Sequence, residues 1–291
     1  MSKIGLCAII KDCDEQYLID WIEWHQFIGI DYFFIYDNES QNPIRSIIPP
    51  SENIIITSIK GEVMQISAYE DCISKQKKGE APICEWIAFI DDDEYIVPEC
   101  GNIKTVLKSY RKFSALGINW MVFGSSGLKQ KTSTPLPVKF THVLDHSYLN
   151  EDGINAFNAH IKSIVKPKDV ISFTSPHSCI FEKPKTTKYW KKYGLGLRTL
   201  LKPKGLCVDI DHNIIPYAFS SKPIYKKMWL AHYYLKSEEE FKLKISRGRA
   251  DTNEEKYQRR LNDFYEMDAL CKTENTFVKD LYMKFKRTQG L

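Results

Sequence analysis

The chain has 291 residues and a formal net charge of +4; 43% of it is hydrophobic and 13% aromatic, enough for a full α/β core and too much for a disordered protein. No apolar run approaches the about 20 residues of a membrane span, and Met1-Ser2-Lys3-Ile4-Gly5-Leu6 leads into a strand-like segment without the h-region or cleavage site of a signal peptide. The eight cysteines, at 7, 13, 72, 84, 100, 179, 207 and 271, make no C-x-x-C pair and no zinc spacing, so reduced structural thiols and a cytoplasmic location are expected.

Residues 4–10 read as a buried first strand. A helix over 17–28 follows, with Leu18, Trp21, Ile22, Trp24, Phe27 and Ile28 at helical spacing and Gly29 as its stop. His25 falls on the Trp-rich face of this helix and reads as a satisfied core histidine. Residues 31–36 form a second strand that ends in Asp37-Asn38-Glu39-Ser40. A third strand at 54–59, a helix over 62–78 and a strand at 86–90 come next; strands alternating with helices imply parallel βαβ units. A helix at 103–111 leads to a strand at 116–123, which closes on Gly124-Ser125-Ser126-Gly127. Residues 128–160, rich in Pro, Thr, Ser and Asn, read as a long functional loop. Short strands are expected at 161–165, 170–173 and 207–210, and a helical pattern from 237 to about 285. The fold class is therefore α/β: a Rossmann-like, mostly parallel sheet flanked by helices, with a helical C-terminal tail.

The strongest chemical signal is Trp86-Ile87-Ala88-Phe89-Ile90 running into Asp91-Asp92-Asp93-Glu94. Four adjacent carboxylates repel one another and are badly desolvated inside a sheet, so they belong where the strand emerges, at the end where open α/β sheets bind ligands. A cation is expected to meet them. Mg²⁺ or Mn²⁺ held by one or two carboxylates usually completes its shell with substrate phosphates. Charge is also unevenly spread: residues 1–100 hold 7 Lys/Arg against 19 Asp/Glu, and the remainder 34 against 18. The acidic part would repel a diphosphate unless a metal intervened, whereas the basic part suits phosphates or an anionic membrane surface. No nucleic-acid-binding signature accompanies the basic residues, so nucleic acid is not an expected partner.

Several blocks, in order, resemble glycosyltransferase family 92 and its bacterial family-2-like relatives. They are Lys11-Asp12, Asp20-Trp21-Ile22-Glu23-Trp24-His25 with Gly29-Ile30, Asp37-Asn38-Glu39-Ser40, Asp91-Asp92-Asp93-Glu94, Trp120–Gly127, Lys162–Pro167, Pro176-His177, and His232–Ser237 with Glu239-Glu240-Phe241, Lys244 and Arg247-Gly248. The sequence departs from the family at Asp12-Cys13, where Asn-Glu is usual, and at Asp20, where Glu is usual. The resemblance implies a GT-A fold with a nucleotide-sugar-binding half (1–124), an acceptor-binding and catalytic half (125–250) and a helical tail (251–291). It further implies a metal-dependent, inverting hexosyltransferase that uses a UDP-sugar, foremost UDP-galactose, with Mn²⁺ or Mg²⁺. The acceptor would be a surface saccharide or glycolipid such as lipopolysaccharide or capsule. Alternatives on a similar sheet are a sugar-nucleotide nucleotidyltransferase, which would usually place a Gly-rich loop where Lys11–Glu15 has no glycine, and a non-catalytic saccharide-binding protein.

Under this resemblance Asp91 binds ribose or metal-bound water and Asp93 ligates the metal, with His177 or His232 as a later ligand and His160 and His212 as further possibilities. Lys11 would lie at the donor. Asp37 and Asn38 are placed for a base or ribose, although the pair also fits a self-closing Asx-turn. Gln65 matches a family glutamine and would touch the nucleotide or face solvent. Ser237-Glu238-Glu239-Glu240 reads as a capping box that leaves Glu239 in the first helical turn, a candidate general base in competition with Asp145, Glu151 and Asp152. Arg247, beside Gly248, is the cation best placed for phosphate. Glu94 would accept from the acceptor or orient nearby loops.

Overall fold

The computed structural model describes residues 2–145, 147–149, 157–182 and 205–290; Glu151 and Asp152 lie outside them. The first half supplies strands β1 (Ile4–Ile10), β2 (Tyr32–Asn38), β3 (Ile54–Ile59), β4 (Trp86–Phe89), β5 (Glu94–Pro98) and β6 (Ala115–Val122). The second half adds β7 (His142–Val143), β8 (Ile161–Val165), β9 (Val170–Ser175), β10 (Ser178–Phe181), β11 (Cys207–Val208), β12 (Met228–His232) and β13 (Thr273–Glu274). β5, which opens on the last acid of the cluster, is a strand the sequence pattern does not announce.

The central sheet runs in the order β3-β2-β1-β4-β8-β6-β12-β5, with β11 beside the start of β6. β3, β2, β1 and β4 are parallel, as βαβ units require, while β8 pairs antiparallel with both β4 and β6. β12 lies between β6 and β5, parallel to the first and antiparallel to the second. Strands from residues 1–124 and 125–250 thus interleave in one sheet. One face is covered by the helix Glu15–Phe27 and the C-terminal helix Phe277–Thr288, with Trp21, Trp24, Tyr282 and Phe285 in a shared core. The other face packs the helix Gln65–Lys78 and β9, bringing Tyr69, Phe89 and Phe173 together.

The Trp-rich block of the first helix has a specific task. Trp21 Nε1 donates to Glu94 O at 2.8 Å and Trp24 Nε1 to Ile96 O at 2.9 Å, while Ile96 N donates to His25 Nε2 at 3.2 Å. His25 Nδ1, at 2.7 Å from Trp21 O, completes the ring's hydrogen bonding as its donor. The helix, capped by Asp14 accepting from Tyr17 N, therefore fixes β5 immediately after the acidic turn.

Several boundaries differ from expectation, two of them for a plain backbone reason. The second long helix starts at Gln65 rather than 62, because Gly61 (φ 115°) and Val63 (φ 55°) hold a left-handed loop that cannot propagate a helix. The C-terminal helical pattern is broken into Glu238–Arg247, Leu261–Leu270 and Phe277–Thr288; Gly248 (φ 79°) ends the first, and β13 intervenes before the last. The last helix docks on the first, with Tyr282 Oη donating to Asp20 at 2.9 Å and Lys286 paired to the same carboxylate at 3.0 Å.

Burial holds the His25 imidazole neutral, pushing its pKa down to about 3 from an ordinary 6.5. The unfolded chain protonates this ring near 6.5, so the stability it contributes is fully present above that pH and is lost as pH falls toward 3, by up to about 1.4 kcal/mol per unit. Urea unfolding between pH 4 and 7 should therefore show a shallower pH slope for His25→Gln than for the wild type.

Candidate active site

The apolar residues of β4 are fully buried, and the chain leaves the sheet at Ile90. The turn that follows carries the acids across to β5, closed by Glu94 N donating to Asp91 O at 3.2 Å and Tyr233 N to Asp93 O at 2.9 Å. Asp91, Asp92 and Asp93 face a cleft of about 580 Å³ at the carboxyl ends of the parallel strands. Glu94 turns inward instead. It is 0% exposed, its Oε2 accepts from Asp91 N at 2.8 Å, and burial, though opposed by Lys162, pushes its carboxyl well above the usual range. Glu94 therefore braces the turn and is not available to an acceptor.

Two buried lysines compensate the cluster. Lys162, on β8 and 1% exposed, donates to Asp91 Oδ2 at 2.9 Å and stands 3.6 Å from Glu94 Oε2. Burial by itself would lower its pKa, but Asp91 and Glu94 raise it and keep the ammonium charged. Lys244, on the helix Glu238–Arg247, donates to Asp93 Oδ2 at 2.7 Å and to Tyr234 O at 3.0 Å. Burial brings it down to about 8 despite Asp93. Burial would raise Asp93, yet Lys244 and then His232 hold it well below the usual carboxylate range. Asp93 is thus an ion-paired link between the turn, β12 and the helix, rather than a solvent-facing strand-end acid.

The expected capping box is present: Ser237 Oγ accepts from Glu240 N at 3.3 Å, and Glu240 Oε2 accepts from Ser237 N at 3.1 Å. It starts the helix so that Lys244 and Arg247, about one turn apart, both reach the cleft. Arg247 Nη1 donates to Lys11 O at 2.8 Å and Asp12 O at 3.3 Å, so it also closes the end of β1.

The cleft gathers Lys11, Asn38, Gln65, Asp91, Asp93, His177, His232 and Arg247 from the expected residues. Gln65 is buried and donates to Asp91 Oδ1 at 2.7 Å and to Tyr69 Oη at 2.9 Å, so its amide aims the acid. Asn38 Nδ2 donates to Gly61 O at 3.0 Å and Ile59 O at 3.4 Å, fixing the loop on that side of the cleft. Asp37, Glu239 and Asp145 lie elsewhere. Asp37 is buried and accepts from Ser40 N at 3.1 Å and Ile44 N at 3.0 Å, so its oxygens satisfy a turn and a short helix start instead of a nucleotide. Glu239 is exposed outside the cleft and accepts from Lys131 N at 2.8 Å. Asp145 accepts from Ser147 N at 2.7 Å and Thr273 Oγ1 at 2.9 Å, which ties its loop to β13. Neither carboxylate is among the cleft's lining residues, so neither reaches the acidic turn in this arrangement.

The four expected metal ligands do not converge: among the described residues no group of three or more His, Cys, Asp or Glu side chains could hold an ion together. Gln65 and Lys162 occupy both Asp91 oxygens, and His177 Nδ1 is engaged with Ile161 O at 2.9 Å. Asp93 Oδ1 and His232 Nε2, however, face each other at 3.5 Å. Burial lowers the His232 pKa in spite of Asp93, which favours the neutral imidazole a metal requires. This pair could supply two ligands to a divalent cation, and phosphate and water would have to complete its shell.

Sequence reasoning missed Trp120, Phe157, Arg249, Asp251 and Arg259 as cleft residues. Arg249 and Asp251 form a bidentate pair, at 2.9 and 2.6 Å, in the loop after Gly248. The readable signal was Trp120 itself, a large ring near the end of a strand that points toward the ligand edge of the sheet.

Fold and cleft together define a Rossmann-like α/β protein with an acidic turn set between lysines at its ligand-binding edge. A sequence model of glycosyltransferase family 92 matches residues 4–195, and the chain belongs to that family. A family 92 protein of Ricinus communis is 27% identical over 144 residues, 48% of this chain and 26% of its own length. One from Oryza sativa is 27% identical over 135 residues (45% and 22%), and one from Arabidopsis thaliana 26% over 158 residues (48% and 26%). The match to each curated relative therefore spans about a quarter of that relative's length. Among solved structures, HddC from Yersinia pseudotuberculosis matches with a TM-score of 0.35 at 9% identity, covering 72% of this chain and 90% of that one. The manganese complex of a Mycobacterium tuberculosis protein matches at 0.30 and 8% identity, covering 41% and 65%.

Removing the Lys162 charge strands Asp91 and Glu94 without their ammonium. Lys162→Met is expected to lose about 3 kcal/mol, the low end for a broken buried pair because Asp91 keeps solvent contact. Lys162→Met with Glu94→Gln should recover part of it, as read by urea unfolding of the two variants.

Proposed function

We propose that the protein is a glycosyltransferase that takes a nucleotide-sugar donor and transfers its sugar to a saccharide acceptor. The observation that carries this reading is the meeting of Asp91–Asp93 with Lys11, Lys244 and Arg247 in one cleft, in a chain of family 92. The base and ribose would lie at the Asn38 and Gln65 side, and the diphosphate between the acidic turn and the cations. Lys11 and Arg247 would bind phosphate oxygens, and Lys244 would offset the charge that builds on the leaving diphosphate. Asp93 and His232 would hold the divalent cation, Mn²⁺ or Mg²⁺, which when bound supplies Lewis-acid stabilisation of that leaving group. The family resemblance brings forward a hexose, with UDP-galactose as the first donor to test, and direct displacement with inversion.

The donor reading is checked by release of the nucleoside diphosphate, UDP from UDP-galactose and UDP-glucose and GDP from GDP-mannose. UDP-galactose turnover should stop in EDTA and return more fully with Mn²⁺ than with Ca²⁺, and Asp93→Asn should lower it by at least 100-fold. Undiminished turnover in EDTA, or in Asp93→Asn, would remove the metal site.

We also propose that the acceptor is a surface saccharide or glycolipid met at an anionic membrane on its cytoplasmic side. Among the described residues no helix is long and apolar enough to cross a membrane. The support is the basic excess beyond residue 100 and an exposed loop where Tyr217, 74% exposed, precedes exposed Lys222, Lys226 and Lys227. Co-sedimentation with phosphatidylserine-containing liposomes should occur at low salt and disappear at high salt; no binding in either condition refutes the membrane reading.

A further inference from the structure

One wall of the cleft is made of rings in continuous contact. It begins at His232, whose Nε2 faces Asp93, and passes to Trp120, with ring centroids 4.4 Å apart. From Trp120 it continues to His160, stacked at 4.7 Å with an interplanar angle of 18°, and just beyond the residues that line the cleft His160 meets Phe219 at 4.2 Å. His177 flanks the middle of the row, 5.2 Å from both Trp120 and His160. The row is graded in exposure: His232 is buried, Trp120 and His160 are half-buried, and Phe219 is 47% exposed. It therefore leads from the acidic turn outward to solvent, on the opposite side of that turn from Asn38 and Gln65.

The packing of the protein core leaves two of the row's ring nitrogens unaccounted for. Trp120 Nε1 and His232 Nδ1 are both buried and have no hydrogen-bond partner. Buried ring nitrogens are rarely left so unless a ligand or an ordered water completes them. A wall that offers apolar ring faces together with a few unsatisfied N–H or N groups matches a molecule with a C–H face and hydroxyl edges, which is the chemistry of a pyranose ring. A nucleobase is less suited to this side, because it would separate the diphosphate from Lys11 and Arg247.

We propose that the row His232–Trp120–His160–Phe219 is the acceptor subsite and that it binds a pyranose by stacking, with the hydroxyl to be glycosylated at the His232 end. This rests on the nucleotide-sugar reading, since that reading puts the reacting carbon at the acidic turn. It adds which surface recognises the acceptor.

Saturation-transfer NMR on the full chain tests it, with irradiation of the aromatic protons, UDP and diamagnetic Mg²⁺ present, and methyl β-D-galactoside, methyl β-D-glucoside or glycerol as probe. The methyl glycosides should receive saturation on their ring protons and glycerol should not. Phe219→Ala, at an exposed position that leaves the core intact, should reduce the transfer at least fivefold, and His160→Ala should do the same. Absence of transfer to either glycoside, or equal transfer in wild type and both variants, overturns the subsite. The UDP resonances in the same spectra report the donor side separately. UDP binding without glycoside contact overturns the subsite alone, whereas glycoside contact without UDP binding refutes the nucleotide-sugar reading and, with it, the acceptor role of the row.

Discussion

Four consecutive carboxylates at the end of a buried strand set the constraint on which the rest of this structure depends. Asp93 and Glu94 are both within the protein interior, and at low dielectric neither can be held there as an isolated charge. Two answers are visible in the fold. Glu94 is pushed toward its neutral form and spends one oxygen on the turn, while Asp91 and Asp93 are each given an ammonium group from a distant part of the chain. The insertion of β8 next to β4 is what delivers Lys162, and the capping-box helix after β12 is what delivers Lys244. Topology and electrostatics are therefore one problem in this protein.

The same arrangement gives the cleft its character. The lysines that allow the acids to be buried also line the space in front of them, so an entering anion meets positive charge that is already fixed in place. Lys244 occupies one Asp93 oxygen, and His232 Nε2 stands 3.5 Å from the other. On one side of the turn the loops held by Asn38 and Gln65 are polar; on the other the wall is aromatic. A cleft with two unlike sides suits two unlike substrates.

Much of this was legible in the sequence because local signals were strong. The abrupt change from Trp86–Ile90 to Asp91 reads as a strand leaving a sheet, and β1, β3 and β8 fall on the expected residues because their apolar runs are bounded by turn residues or charge. His25 was readable as a core histidine from its place on the Trp-rich face. The Asp37 and Glu239 roles were misjudged because a carboxylate after a strand or at a helix start looks alike whether it caps backbone amides or faces a ligand; only the tertiary path tells which. Asp145 was misjudged for the same reason, since its tie to Thr273 joins segments 128 residues apart. The lysine partners of the acids were equally out of reach, because pairing Lys162 with Asp91 and Lys244 with Asp93 depends on the order of strands in the sheet. Trp120 was visible as part of a motif, but its direction into the cleft depends on the pairing of β6 with β12.

The hydrogen bonds from Trp21, Trp24 and His25 to β5 have a bearing beyond the site. β5 is the last strand of the sheet, and a terminal strand ordinarily presents free amide and carbonyl groups that can recruit a strand from another molecule. Here Glu94 O, Ile96 O and Ile96 N on that margin are already taken by indole and imidazole groups. At the opposite margin, the Arg45 guanidinium donates to Ile56 O of β3 and Asn38 to Ile59 O. Side chains thus occupy several backbone groups of the edge strands β5 and β3, which leaves fewer of them for strand addition. The Trp-x-x-Trp-His block that positions the acidic turn also occupies backbone groups on this edge of the sheet.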